Sequence, residues 1–562
     1  MRNKFFNYGI LTVVLSTVIL AACSPDFLER PPKDQVVDGS FFQTDDQVLA
    51  STALLYTKVW FDYNDKASYN LGDFRGGTAY SAYNDRENVE FRTTANTGEN
   101  TAAWQSFFNV VGQSNLVMAN INRYAGASVS PAIKAHAIAE ARFMRALAYR
   151  FLVSNWGPVP IITNNQTLLT DTTIVRNTEE SVWRFITSEL RAVANDLPTT
   201  PIQTGRLTRW SAEGMLARCY LVRSGVAAQG AGLRDQVFLD SAKYYAKRVI
   251  DLSGAQLLGK YEDLFKWPYD NNTESLFSLQ WIYTANDWGT QNSTPAYLAY
   301  SGDIANGDGW GGDKGATLWM LLQYEGFEAN GKTLDQRLHA TFMLPGAVYP
   351  EITQTFTNAD NELDKRECIY PFNGSTSNDV NFAAIKKYVT GKAEDVGGEA
   401  SQQHYGNDTY MLRLAEMYLT YAEAELANAG STTDPLALEY FNKIHMRAGL
   451  PEFTDPLTFE DIFRERILEF AMEGMSWYDL VSLHYYDKAK AEEIIGAQDR
   501  GFYFLKPDVF PNPTSWQLFE VPWANQRFFQ ANDGNFHLPI PATEQAQAPN
   551  LRKDPVDYYG GL

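Results

Sequence analysis

The stretch that most constrains the fold is AEARFMRALAYRFLVSNWGPVPII, Ala139 to Ile162. Phe143, Leu147 and Phe151 recur at four-residue steps, which puts them on one face of an α-helix. Met144, Ala148 and Leu152 form an adjacent apolar stripe. A helix apolar over that much of its circumference is buried on more than one side. Ala139, Ala141, Ala146 and Ala148 are small enough for neighbouring helices to come close. Asn155-Trp156-Gly157-Pro158 breaks the helix, and Val159-Pro160-Ile161-Ile162 leaves as an extended segment. Such a helix needs others around it, and the pattern predicts a helical scaffold that carries loops.

A small–large–small spacing recurs along the chain. It occurs at Ala139, Phe143, Ala146, with related spacings at Ala212, Leu216, Cys219; at Ala242, Ala246, Val249; at Ala415, Leu419, Ala422; and at Ala437, Phe441, Ile444. This is the spacing of the second helix of a tetratricopeptide repeat, although the intervals are irregular and any packed helix can show it. Periodicity predicts helices at about 45–60, 103–124, 131–154, 178–197, 207–224, 236–252, 408–429, 434–448 and 457–482. Residues 63–103 and 262–407 are rich in Gly, Asn, Asp and aromatic residues. That is loop chemistry, and both segments run longer than structural loops usually do. The tail from 499, rich in Pro and aromatics, reads as mostly irregular.

At the N-terminus Arg2 and Lys4 precede an apolar run, Ile10 to Leu20, too short to span a bilayer. Leu20-Ala21-Ala22-Cys23 follows, and small residues before a Cys resemble a bacterial lipobox. The expectation is a signal peptide at 1–22, lipidation at Cys23, a polar tether at 23–40 and a single domain at 41–562. Within that domain the scaffold covers mainly 41–260 and 408–483, the ligand face mainly 63–103 and 262–407, and an irregular tail 484–562. Several acyl chains, each worth about 0.8 kcal/mol per buried CH₂, would anchor the chain almost permanently. Cys219 sits in a helical run, where Cys is usually a small buried hydrophobe. The sequence does not decide whether it pairs with Cys368, though its setting favours no bond.

The chain carries 47 basic and 67 acidic side chains, a formal net charge of −20. Phosphate binding needs a basic surface, so nucleic acid is excluded as a partner. Gly326 to Thr333 matches a phosphate-loop pattern but lacks a clear strand–loop–helix setting, and reads as a turn before a helix starting near Leu334. Glu465, Glu469 and Glu473 share a helix face, and paired carboxylates can hydrolyse glycosides. The adjacent Arg464 and Arg466 favour salt bridges instead, and no enzymatic activity is expected. Six His are scattered, with no HExxH pair and no Cys cluster. Asp303, Asp308 and Asp313 miss the calcium-loop spacing and read as solvated loop acids. No metal or cofactor is expected.

Five Trp fall between 267 and 319: Trp267, Trp281, Trp288, Trp310 and Trp319. Even spreading would put about one there. A sugar ring has C–H bonds on its face and hydroxyls on its rim, so an aromatic platform accepts the face while nearby polar side chains bond the rim. Trp288 and Trp310 sit beside glycines in polar loops and are the leading candidates, with Tyr297 and Tyr300 among them. Trp319 is divided between platform and packing; Trp267, Trp281 and Trp104 read as packing. Asp73, Arg75, Tyr80, Tyr83 and Arg86 in the 73–86 segment are further ligand candidates.

The chain also resembles the SusD/RagB family of Bacteroidetes outer-membrane lipoproteins, from Cys23 to its C-terminus. The resemblance rests on Asp26-Phe27-Leu28-Glu29 with Pro31-Pro32-Lys33-Asp34, on AEARFMRALAYRFLVSNWGPVP, and on GRLTRWSAEGMLARCYLV (Gly205–Val222). YMLRLAEMYLTYAEAELANAG (Tyr410–Gly430), FNKIHMRAGLP (Phe441–Pro451), ERILEFAMEGMSWYDL (Glu465–Leu480) and LPIPATEQAQAPNL (Leu538–Leu551) follow in order. It departs in having Met475-Ser476, not a basic residue, before Trp477. The resemblance implies a mostly α fold of about four tetratricopeptide-like helix pairs with a large irregular ligand face. It implies a surface-exposed outer-membrane lipoprotein that binds glycan and delivers it to a SusC-like TonB-dependent transporter. RagB-like relatives serve peptide uptake, which is the alternative ligand class.

Overall fold

The structure, a computed structural model, describes residues 41–169, 173–284, 287–327, 333–357, 360–371, 381–521 and 526–560. The signal peptide, Cys23 and tether expected within 1–40 lie outside the described residues, as do residues 328–332 of the phosphate-loop-like pattern.

The fold is mostly α. The scaffold helices are α1 (Asp45–Thr52), α2 (Gly98–Tyr124), α3 (Pro131–Trp156), α4 (Glu179–Val193), α5 (Arg209–Val226), α6 (Gln236–Leu252), α7 (Leu414–Leu426), α8 (Pro435–Arg447), α9 (Phe459–Phe470), α10 (Ser476–His484) and α11 (Lys488–Ala497). Thr44, Thr208 and Thr458 form capping boxes with Gln47, Ser211 and Asp461, and Ser130, Thr178, Asp235 and Asp434 cap α3, α4, α6 and α8. Each cap satisfies an N–H that has no partner inside the helix and contributes about 1 kcal/mol. α3 ends at Gly157, whose φ of 65° suits glycine, and Pro158 follows.

Successive helices pack side by side, α2 on α3, α3 on α4, α4 on α5 and α5 on α6. α6 then packs on α7 across the long excursion 253–413, and α7 packs on α8. This is the tetratricopeptide-like array that the family resemblance implied and the spacing allowed, and every residue of that series is buried. In α3 the Phe151 ring lies parallel to Phe107 (5.1 Å between centroids), and Phe143 meets Phe277 edge-on at 5.4 Å. Cys219 and Cys368 are both free and buried.

The excursion leaves and returns through one antiparallel pair. Three strands of the excursion join one from residues 79–81 in a four-stranded sheet, and the strands of the pair and the sheet are, in chain order, β1 (Ala79–Ser81), β2 (Ser275–Leu279), β3 (Lys314–Ala316), β4 (Phe342–Met343), β5 (Ala384–Ile385) and β6 (Thr409–Arg413). β2 pairs with β6, and the sheet runs β1-β3-β5-β4. Residues 408–413 are therefore extended where a helix was expected.

Four further expectations are corrected. Residues 63–76 form buried helical turns, Tyr63–Ala67 and Asn70–Phe74, rather than an open loop. Their loop-like composition serves close packing: a Cβ on Gly72 would lie 2.3 Å from the Gly474 Cα, so the two backbones touch only because residue 72 is glycine. The helix expected from Leu334 begins at Arg337, and the one expected over 457–482 is two helices, α9 and α10. The tail expected to be irregular over 484–562 begins with helix α11 (Lys488–Ala497); from 499 it is mostly irregular, with one hairpin in which Tyr503–Pro507 pairs with Trp516–Glu520.

Glu465, Glu469 and Glu473 do form salt bridges, but not with the adjacent arginines. Arg464 is exposed, and Arg466 bonds Asp479. Their partners arrive from the excursion, its end and α8. Arg413 donates to Glu274 (2.6 Å), Glu469 (2.9 Å) and Glu473 (2.7 Å); Arg337 pairs with Glu465 (2.6 Å); and Lys387 with Glu473 (3.0 Å). Arg447 bonds both Glu274 and Glu469. Burial favours protonation of Glu469, yet Arg447, Arg413 and Arg337 outweigh it and hold the carboxyl at about 2.

Two outcomes follow for stability. Phe143→Ala should cost about 3–5 kcal/mol through lost transfer energy and a cavity, read from the denaturation midpoint. Glu469→Gln should cost roughly 3–5 kcal/mol by stranding buried guanidinium groups. Because the folded pKa of Glu469 is depressed, its contribution is present above the ordinary value of 4.5 and lost as pH falls towards 2. Denaturant titrations across that window should show a shallower acid loss in the glutamine variant.

Candidate functional site

A surface cleft of about 990 Å³ opens between the 83–99 segment and the 297–314 segment. Tyr83, Tyr297 and Trp310 line it, with Lys66, Asp85, Arg86, Arg92, Asn96 and Glu99 around them. Tyr83 is 83% exposed and Trp310 55% exposed, while Tyr297 is half-buried. Among the described tryptophans only Trp310 and Trp288, at 53%, are exposed.

Each ring is presented for a definable reason. The Trp310 loop lies backbone to backbone on residues 296–302. Trp310 N donates to Ala296 O at 3.0 Å, and Gly311 N to Ala299 O at 2.7 Å. A Cβ on Gly311 would lie 2.1 Å from the Leu298 carbonyl oxygen, and one on Gly309 2.1 Å from the Ser301 carbonyl carbon, so the flanking glycines are required by close approach. The indole between them has no core to enter and faces solvent. Trp288 is buttressed edge-on by Phe61 and by His404, each at 5.4 Å. Tyr83 stands on the turn after β1, and the pairing of Ser81 with Lys314 sets that turn beside the Trp310 loop.

Contacts link Trp288 to the cleft. His404 follows Gln403, and the Gln403 side chain accepts from Tyr297 Oη at 3.2 Å. The Tyr297 ring carries the Lys66 ammonium 4.6 Å above its centroid. Burial, with Asp65 and Asp308 nearby, pushes the Tyr297 phenol up to about 12, so it remains a neutral hydroxyl donor. Charges around the cleft are largely matched. Arg86 and Arg92 both bond Glu90, and Lys314 lies 3.8 Å from Asp85. The arrangement offers flat aromatic faces with hydrogen-bonding groups at their margins.

Other sequence candidates lie elsewhere. Asp73, Arg75 and Tyr80 are buried and reach no ligand at the surface. Both Asp73 oxygens accept backbone N–H bonds, from Met472 (2.7 Å) and Gly474 (2.8 Å), while burial pushes the carboxyl up to about 7. Arg75 lies 4.3 Å over the ring of Trp477. Tyr80 packs edge-on against Phe502. Tyr300 is half-buried against Tyr370 and Phe382, and Trp319 is half-buried with its amide bonded to Asp499. Neither lines the cleft. Asp313 is buried rather than solvated, and Asp303 and Asp308 are half-buried. Among the described residues no group of three or more His, Cys, Asp or Glu could hold a metal ion.

Sequence reasoning did not single out Lys66, Gln403 or His404. Gln403 and His404 carry no local signal, because only the hairpin pairing of Ser401 with His404 turns them towards Trp288 and Tyr297. Arg92, Asn96 and Glu99 fell within the 63–103 segment already marked as loop.

Residues 273–557 match the sequence model of the SusD family, and residues 26–221 match one described as starch-binding associating with outer membrane. A SusD-like protein of Bacteroides ovatus is 34% identical, with 99% of each chain covered. A solved structure described as being with xylogluco-oligosaccharide is 33% identical, with a TM-score of 0.79 over 92% of this chain and 100% of that one. A laminarin-binding SusD-like protein, 20% identical, shares the fold at a TM-score of 0.65 over 92% of this chain and 100% of its own. With this identity along nearly its whole length, and with the helical array and sequence segments described above, the chain belongs to the SusD family.

Proposed function

We propose that this chain is a cell-surface lipoprotein that captures a neutral oligo- or polysaccharide on Tyr83, Tyr297, Trp288 and Trp310 and delivers it to a SusC-like TonB-dependent transporter. The observation that carries the reading is the exposure of Trp310 and Tyr83 on one cleft and of Trp288 beside His404, while the other described tryptophans are packed or partly packed. Large aromatic side chains left in water on buttressed supports mark binding surfaces. Sugar faces stack on the rings, and Lys66, Asp85, Arg86 and Glu99 supply donors and acceptors for rim hydroxyls. A net charge of −20 disfavours acidic polysaccharides and leaves neutral glycans. The 33% identical structure with xylogluco-oligosaccharide supports a glycan ligand and makes xyloglucan fragments the first probe.

No hydrolytic step is assigned. Glu465, Glu469 and Glu473 are buried in ion pairs, away from the cleft, and their carboxylates meet guanidinium or ammonium groups rather than solvent. The proposed organisation retains the signal peptide at 1–22, lipid at Cys23, a tether at 23–40 and one SusD-like domain at 41–562. The match of residues 26–221 to an outer-membrane-associating family supports an outer-membrane position.

Each of Tyr83→Ala, Trp288→Ala and Trp310→Ala should weaken glycan binding by roughly five- to thirty-fold, the usual loss of about 1–2 kcal/mol at a stacked ring. Melting temperatures should barely move, since exposed substitutions change stability within about 0.5 kcal/mol. Calorimetry and thermal melts on mature protein, after a polysaccharide panel scored for retention and product release, make the measurement. Retention of peptides instead of sugars would support the RagB-like alternative; released sugar products would indicate a hydrolase. Cys23→Ala should release the protein from the outer membrane. Protein still bound after carbonate washing, in cells lacking the transporter, would rule out the lipid anchor.

A further inference from the structure

We propose that Asp313, acting with Lys314, is a positioning residue that fixes Tyr83 relative to Trp310 and thereby sets affinity for a glycan long enough to lie on both rings. The inference rests on the sugar-platform reading above and adds the device that holds the platform together.

The two rings belong to segments far apart in sequence, joined by the short β1–β3 ladder. Beyond its end, at Ser81 and Lys314, one buried carboxylate takes over. Asp313 Oδ2 accepts from Ser81 Oγ (3.0 Å), Asn84 N (3.2 Å) and Asn84 Nδ2 (2.9 Å). Its main-chain carbonyl accepts from Ala82 N at 2.7 Å. Ala82 and Asn84 flank Tyr83, so Asp313 holds the amide on either side of a residue whose own ring stands in water. On the other side, Asp313 Oδ1 accepts from Lys314 Nζ (2.8 Å), and the same ammonium donates to the Trp310 carbonyl oxygen (3.0 Å). A continuous polar path therefore runs Asn84–Asp313–Lys314–Trp310.

Neither Asp313 nor Lys314 is exposed enough to be a main sugar contact, since both are at least nine-tenths buried. Their effect passes through the rings. A ligand spanning two rings gains from both only if their separation is already correct; otherwise binding must order the loops and loses affinity to that cost. A ligand short enough to sit on one ring is indifferent to the spacing.

The test uses mature protein labelled with 5-fluorotryptophan and titrated with xylogluco-oligosaccharides of one and several repeat units. The variants are Asp313→Ala, the isosteric Asp313→Asn and Lys314→Met, alone and combined with Tyr83→Ala. The expected result is roughly a tenfold loss for the long oligosaccharide and less than about twofold for the short one. In the Tyr83→Ala background Asp313→Ala should add little, and the Trp310 fluorine line, assigned with Trp310→Phe, should shift or broaden while that of Trp288 stays. Circular-dichroism melts report whether each variant is folded, and Asp313→Asn serves where Asp313→Ala is not. Full additivity of Asp313→Ala with Tyr83→Ala, or equal losses for short and long ligands, would overturn the proposal. If Tyr83→Ala and Trp310→Phe weaken binding but Asp313→Ala and Lys314→Met do not, the positioning role alone fails. If no variant affects xylogluco-oligosaccharide binding, the platform reading fails for that ligand, and an unmoved Trp310 fluorine line in Asp313→Ala would then overturn the positioning role as well.

Discussion

The structure depends on the buried guanidinium of Arg413. It stands at the end of β6, immediately before α7, and bonds Glu274, which immediately precedes β2. The two ends of the 253–413 excursion are thus tied to one another. The same guanidinium bonds Glu469 in the last turn of α9 and Glu473 just beyond it, which ties both ends to the scaffold. Arg337 and Lys387, from within the excursion, return to the same acidic row. A charge removed from water is tolerated only when it is closely paired, so each of these contacts restricts where its segment can lie. A long irregular region is in this way given one position against the helices.

That constraint also shows why the scaffold was legible in sequence and the site only partly so. Helical periodicity and caps are local, and the α3 stripe of Phe143, Leu147 and Phe151 can be read without knowing what surrounds it. Glu465, Glu469 and Glu473 were correctly read as salt-bridged, but their partners come from residues distant in sequence, while adjacent Arg464 points to solvent. Residues 63–76 show the limit from the other direction. Gly, Asn and Asp signal loops when they meet water, yet here Gly72 allows contact with Gly474 and Asp73 satisfies buried amides. Composition alone cannot separate a glycine needed for a turn from one needed for contact.

Trp288 and Trp310 were legible because a large ring set among glycines and polar residues has no apolar neighbours in sequence to share a core with. Tyr300 looked alike but has Tyr370 and Phe382 to pack on, and those partners come from elsewhere in the chain. Tyr83 and Tyr80 differ by three positions and in outcome. Tyr80 sits within β1 and is carried inward, whereas Tyr83 lies beyond the strand end, where the turn throws it out.

In the proposed platform, fixing the rings matters because stacking on a sugar is a modest interaction. A contact worth one or two kcal/mol is easily cancelled if binding must first immobilise a loop. The chain meets this by placing each exposed ring on a backbone that is already bonded. Trp310 hangs from amide contacts made possible by Gly309 and Gly311, Trp288 is wedged between Phe61 and His404, and Tyr83 stands between two amides held by Asp313. The ion network positions the excursion, the excursion positions the loops, and the loops hold aromatic faces in water. Rings held in this way lose little freedom when a flat ligand covers them, so the contact area they offer is not offset by the cost of ordering loops.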